Sequence, residues 1–281
     1  MKLKEKLAIQ YIRTKLILLS LVSKRKSAEK TFELFCTPFH RHTSKPTSLF
    51  VAAEKLDFIF EGLKIKGYRW KKDRPNKVLI LHGFGSAAPK FQTYITALIA
   101  KGYQVCAFDA PGHGYSEGST INALQYSKMI EEINFLYGPF NGFIAHSLGA
   151  LSLSLALENL VHTANTKVVF IAAATETKTA ADDAFKILGL RNKRIRQEFD
   201  NIIRERSGHD IEWFSINRAI KNSKANILWI HDEDDKITPL TDVLPIKAQN
   251  PQNITFYITK GLGHRKIYRD TTVKNMVEQF M

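Results

Sequence analysis

Four consecutive apolar residues, Val78-Leu79-Ile80-Leu81, stand between polar neighbours and read as a short strand buried on both faces of a sheet. Comparable runs recur at residues 105–108, 143–145, 168–173, 227–230 and 254–258, each read as a further buried strand. Longer stretches with helical spacing fill the gaps, near residues 89–101, 121–137, 148–161, 240–249 and 267–280. Two earlier runs, 56–60 and 63–70, flank Glu61-Gly62 and read as an antiparallel hairpin, which brings the strand count to eight. From residue 56 onward this alternation predicts an α/β fold, a mostly parallel eight-stranded sheet covered by helices on both faces.

One interval breaks the rhythm. About fifty residues separate the strand ending near Ala174 from the strand beginning at Ile227, and their pattern is helical. Phe185, Ile187, Leu188, Phe199, Ile202, Ile203, Trp213 and Phe214 supply apolar faces, while eleven basic and eight acidic residues between 175 and 225 suit water. The interval is expected to form a helical lid insertion at about 175–225 within a domain spanning 56–281. Residues 1–55 are expected to be a basic helical segment packed on that domain. A chain of 281 residues needs no second core.

Charge changes the picture mainly at the N-terminus. Half of the net charge of +14 arises in the first thirty residues, where nine Lys or Arg face only Glu5 and Glu29. No zinc-finger, RNA-binding or helix-turn-helix signature accompanies this cluster, so nucleic acid is not expected as a partner. Lys2, Lys4 and Lys6 precede an apolar stretch, yet its uncharged part, residues 16–23, is too short to span a bilayer, and it ends in Lys24-Arg25-Lys26 rather than a cleavage site. Two readings remain for residues 1–26. The favoured one is a helix packed on the domain; the other is a basic amphipathic helix in peripheral contact with an acidic membrane surface. The two cysteines, Cys36 and Cys106, cannot form a disulfide framework, which points to a reducing compartment and a cytoplasmic protein, with membrane association the variant.

Candidate chemistry clusters just past the predicted strands. Ala145-His146-Ser147-Leu148-Gly149 lies between a strand and an apolar helical stretch, the setting of a nucleophile elbow, whose sharp turn tolerates only small residues two places either side of the serine. Ala145 stands where such elbows carry a first glycine. Taken alone, the serine could equally be a helix N-cap. Upstream, His82-Gly83-Phe84-Gly85 forms a glycine-rich turn whose amides can face the same site. The N–H groups of Phe84 and Leu148 are the two expected oxyanion donors. Asp109, His113 and Ser116 occupy one tight turn, where local capping bonds are the better account.

A serine needs a base, and the base needs a carboxylate to fix its tautomer. The loop Asp232-Glu233-Asp234-Asp235 follows a buried strand; Asp235, just before Ile237-Thr238-Pro239, is the chosen acid and Asp234 its nearest competitor. Asp232 and Glu233 suit a solvated loop. His264, in Lys260-Gly261-Leu262-Gly263-His264 after the last strand, is the expected base. Ser147, Asp235 and His264 fall in the chain order of one hydrolytic triad.

Together the His-Gly turn, the Asp109-to-Ser116 turn, the serine elbow, the acidic loop and the Gly-His near the C-terminus resemble the α/β-hydrolase superfamily, in its serine-hydrolase branch with bacterial esterase-like members. The resemblance covers residues 56–281. It implies Ser147, Asp235 and His264 as triad, Phe84 and Leu148 as oxyanion hole, and neither metal nor organic cofactor. Dehalogenases and epoxide hydrolases of the superfamily carry an Asp nucleophile, against which Ser147 argues. The expected activity is cleavage of a small-molecule carboxylic ester, or a thioester or amide, through an acyl-serine. Acyl transfer by the same triad, and a non-catalytic membrane- or partner-binding protein on the hydrolase fold, are the alternatives. Substrate identity and oligomeric state are not encoded in these motifs.

Overall fold

The computed structural model describes residues 3–43 and 45–281, with side chains from residue 6 onward. Lys2 and the side chain of Lys4 therefore lie outside the described residues. The chain divides into two compact units, Met1–Thr37 with Glu176–Ser215, and Pro38–Thr175 with Ile216–Met281.

In the larger unit the strands are β1 (Glu54–Lys55), β2 (Phe58–Phe60), β3 (Leu63–Ile65), β4 (Gly67–Trp70), β5 (Lys77–Leu81), β6 (Gln104–Phe108), β7 (Gly142–His146), β8 (Lys167–Ile171), β9 (Asn226–Asp232) and β10 (Ile254–Thr259). Eight of them form one sheet in the order β1-β4-β6-β5-β7-β8-β9-β10. β4 is antiparallel to β1 and β6, and every other pairing is parallel. Parallel neighbours need long crossovers, which helices Gln92–Ala100, Ala123–Tyr137 and Leu148–Ala156 provide. The continuous apolar runs have the expected cause: Val78, Leu79, Ile80 and Leu81 are all buried.

The sheet has the eight strands expected, but not the same eight. The segment 63–70 is broken at Lys66; β3 pairs with β2 in a separate two-stranded hairpin, and β4 alone joins the main sheet. Gly67 marks the break, because a Cβ there would meet the Phe108 ring and the Leu56 carbonyl at 2.1 and 2.6 Å. The two-residue β1 completes the count. β10, read from sequence as a buried strand, is the edge strand, and its side chains are only half-buried. Aromatic packing closes the β4 end, where Phe50 sits edge-on to Tyr68 and Trp70 and the Trp70 indole donates to the Leu49 carbonyl.

The smaller unit is helical. Helix Lys24–Cys36 packs against helix Lys193–Ser207, and helix Leu3–Val22 against Lys24–Cys36 and Thr177–Leu188. Phe199 is its hub, within 5.8 Å of the ring centroids of Phe32, Phe35 and Phe185. Arg25 adds an exposed bidentate pair to Glu205. Of the apolar residues that the sequence assigns to this interval, Phe185, Phe199, Ile202, Ile203 and Phe214 are buried and Ile187 is exposed. Residues 216–225 belong with the larger unit. Cys36 and Cys106 are both free and buried.

Candidate active site

The parallel strands deliver their C-terminal ends to one edge of the sheet. Leu81 pairs with Ala145, Ile171 with Ile230 and Asp232 with Thr259, so the segments that follow β5, β7, β9 and β10 emerge side by side. The residues singled out in sequence stand there.

Ser147 lies between β7 and helix Leu148–Ala156 with φ 53° and ψ −121°, a left-handed conformation that a non-glycine residue adopts only under constraint. The constraint is visible on both sides. Gly149 passes so close to β5 that a Cβ would stand 2.7 Å from the His82 carbonyl oxygen and 2.9 Å from that of Leu81. A Cβ on Gly83 would meet His146 Nδ1 at 2.7 Å and Ser147 Cβ at 2.8 Å, so the glycine-rich turn rests directly on the elbow. Among the described residues, no protein acceptor takes the N–H of Phe84 or Leu148.

His264 bridges the other two members. Its Nε2 is 3.0 Å from Ser147 Oγ and its Nδ1 is 2.8 Å from Asp235 Oδ2. The remaining oxygen of Asp235 accepts from the amides of Ile237 and Thr238, and the Thr238 hydroxyl donates to Oδ2. Burial alone would raise the Asp235 pKa; the His264 hydrogen bond and charge and the two amides outweigh it and hold the carboxyl at about 2. Asp234, the competitor, accepts from the Gly261 amide instead.

Four residues contribute more than their sequence context announced. Asp232 was expected in a solvated loop, but it is fully buried. Its Oδ1 accepts from the amides of Gly263 and Asp234, and its Oδ2 from the Leu262 amide and the Thr259 hydroxyl. One carboxylate thus fastens the loop that carries His264 to the loop that carries Asp235. Burial raises its pKa, and these four donors together bring it below the usual carboxylate value. His146 reaches the same loop from below, its Nε2 lying 3.1 Å from the His264 carbonyl oxygen. His113 sits in the tight turn as expected, with Nδ1 on the Pro111 carbonyl, but its Nε2 accepts the Gly85 amide 2.8 Å away and so holds the turn that bears Phe84. His82 works alike, with Nδ1 on the Gly83 carbonyl and Nε2 accepting from Ala110. Asp109 caps its own turn through the Tyr115 amide and ties that turn to the segment after β5 through the Ala88 amide. The only local signals for these roles were the flanking glycines and prolines.

Both His82 and His113 accept through one nitrogen and donate through the other, so each must be neutral. Burial accounts for this, lowering His82 to about 4 and His113 to about 3, and it lowers His146 to about 3 as well. The sign of the linkage follows. Unfolding releases imidazoles that titrate near 6.5, so below that pH the unfolded chain binds more protons. The stability contributed by the neutral rings is complete above about pH 6.5 and lost as pH falls toward 4 and 3. Each ring adds a slope of up to about 1.4 kcal/mol per pH unit. Thermal melts should therefore give a midpoint several degrees lower at pH 5 than at pH 7, and a midpoint that rises on acidification would contradict the neutral assignment.

A family model described as "Serine aminopeptidase, S33" (Hydrolase_4) matches residues 73–213. The chain is 24% identical over 250 residues to the protein titled "Uncharacterized protein YqkD" of Bacillus subtilis (strain 168), covering 83% of this chain and 81% of that protein. Among solved structures it is similar to the esterase Pf2001 of Pyrococcus furiosus, with a TM-score of 0.65 and 17% identity over 87% of this chain and 95% of the other. It is also similar to Est1E of Butyrivibrio proteoclasticus, solved with ferulic acid bound, with a TM-score of 0.61 and 17% identity over 80% of this chain and 97% of the other.

Proposed function

Because the chain belongs to the serine aminopeptidase, S33, family and folds as an α/β-hydrolase, we propose that it hydrolyses carboxylic esters through an acyl-Ser147 intermediate. The observation that carries this reading is the unbroken hydrogen-bonded line Ser147 Oγ, His264 Nε2, His264 Nδ1, Asp235 Oδ2. The esterase named among the structural relatives supports the choice of ester over amide only through the shared fold.

In this mechanism Ser147 Oγ attacks the ester carbonyl carbon while its proton passes to His264 Nε2. Asp235 stays ionised and keeps the Nδ1 proton on its own side, leaving the Nε2 lone pair facing the serine. The carbonyl oxygen gains a full negative charge, for which the free amides of Phe84 and Leu148 are the available donors; Leu148 adds the positive end of a helix. Collapse of this intermediate breaks the bond to the alcohol oxygen, which takes the proton from His264. Water then repeats the sequence on the acyl-enzyme, giving its proton to His264 and releasing the acid and free Ser147. His113 and His82 act as positioning residues, since they hold the turn that presents Phe84.

The test is a fluorophosphonate probe applied to the full chain, followed by mapping of the adduct and assay of a panel of short and long acyl esters. Labelling confined to the peptide containing Ser147, with hydrolysis of at least one ester, is the expected result. An unlabelled protein, or an adduct on another residue, overturns the proposal.

A further inference from the structure

Helix Leu3–Val22 is apolar on two sides, and the fold uses only one of them. Leu16 and Ser20 are buried, and the Leu16 carbonyl accepts from Ser27 of the next helix. Another face carries Leu7, Tyr11, Leu18 and Val22, separated by four, seven and four residues, with Leu21 beside them. These five are 61%, 70%, 59%, 83% and 74% exposed in that order, so a helical stripe of large apolar side chains lies open to solvent. Such a stripe costs solubility unless something covers it.

Charge selects what covers it. Lys6 and Lys15 are exposed on the same helix and Lys26 at the start of the next, four residues beyond Val22, and no ion pair among the described residues includes them. Nearby Arg25 and Lys30 already hold Glu29, Glu205 and Glu33. The first thirty residues carry nine basic side chains against two acidic ones. Apolar residues that insert, flanked by lysines that stay at the surface, match a layer of anionic lipid headgroups above acyl chains. Nucleic acid would use the lysines but leave the leucines in water. A second copy of the chain fits poorly: from Leu7 to Val22 the stripe is about 23 Å long and about 10 Å wide, on the order of 230 Å², against roughly 800 Å² per partner for a standard stable interface. No described helix is long and apolar enough to cross a membrane, so the contact would lie in the plane of the surface.

We propose that the exposed face of helix Leu3–Val22 is a docking surface for anionic phospholipid membranes, with Leu7, Tyr11, Leu18, Leu21 and Val22 inserting and Lys6, Lys15 and Lys26 meeting the headgroups.

The experiment is co-sedimentation of the full chain with vesicles of phosphatidylcholine, alone or mixed with phosphatidylserine. Binding to the mixed vesicles is expected to exceed that to neutral ones by about tenfold and to fall as salt rises. The Leu18→Asp/Leu21→Asp double variant alters only exposed side chains; it should keep the wild-type melting temperature and lose the vesicle binding. Lys15→Glu/Lys26→Glu should reduce binding to the phosphatidylserine vesicles by about tenfold and leave the neutral ones unchanged. Equal recovery on both vesicle types, or binding that survives the aspartates, overturns the proposal. So does a chain that ignores vesicles while the aspartates convert a dimer to monomers in gel filtration, since the stripe would then be an interface between copies.

Discussion

Replacing Ser147 by alanine is expected to lower kcat/KM for ester hydrolysis by about 10⁴-fold or more and to abolish fluorophosphonate labelling, with the melting temperature held. The size follows from the chemistry: without Oγ there is no acyl-enzyme, and what remains is the contribution of the Phe84 and Leu148 amides and of binding. The fold should survive because the strain at this position is in the backbone. Alanine meets the same φ of 53° as serine, and the hydroxyl gives up only its contact with His264. Labelling that persists in the variant would place the nucleophile elsewhere.

Asp235→Asn is expected to reduce kcat by roughly 10³- to 10⁴-fold with little change in KM. The carboxylate accepts on both oxygens, Oδ1 from the Ile237 and Thr238 amides and Oδ2 from Thr238 Oγ1 and His264 Nδ1. In asparagine one of these becomes an NH₂ donor. The two amides fix oxygen at the first position, so the NH₂ turns toward His264 and makes Nδ1 the acceptor. The ring proton then moves to Nε2, facing Ser147, and the base is lost. The side chain is isosteric, so a calorimetric melt should register a far smaller effect than the assay. A variant that retained most of its kcat would pass the role of acid to a neighbour, Asp234 first.

The order of elements was legible because parallel strands buried on both faces appear as unbroken apolar runs, as at Val78–Leu81. Ser147, Asp235 and His264 could be picked out because each follows such a run. Where strands were short or half-exposed the pattern failed: Glu54-Lys55 has no apolar residue to announce it, and β10 gave an apolar run although it is an edge. The partnership of helix Lys24–Cys36 with helix Lys193–Ser207 leaves no local period, because it joins residues more than 150 apart in the chain. Asp232 was hidden for a related reason. A run of four acids looks solvated, and only the return of β10 alongside β9 brings it the donors that make a buried carboxylate tolerable.

That carboxylate has a wider consequence. Because Asp232 grips both loops at once, the loops of His264 and Asp235 form a single clamp at the margin of the sheet, with neither free to drift from the other. If β10 were to peel away, as the outermost strand of any sheet is most prone to do, its Thr259 hydroxyl and the Leu262 and Gly263 amides just beyond it would leave the clamp together, and activity should vanish before the interior of the protein has loosened.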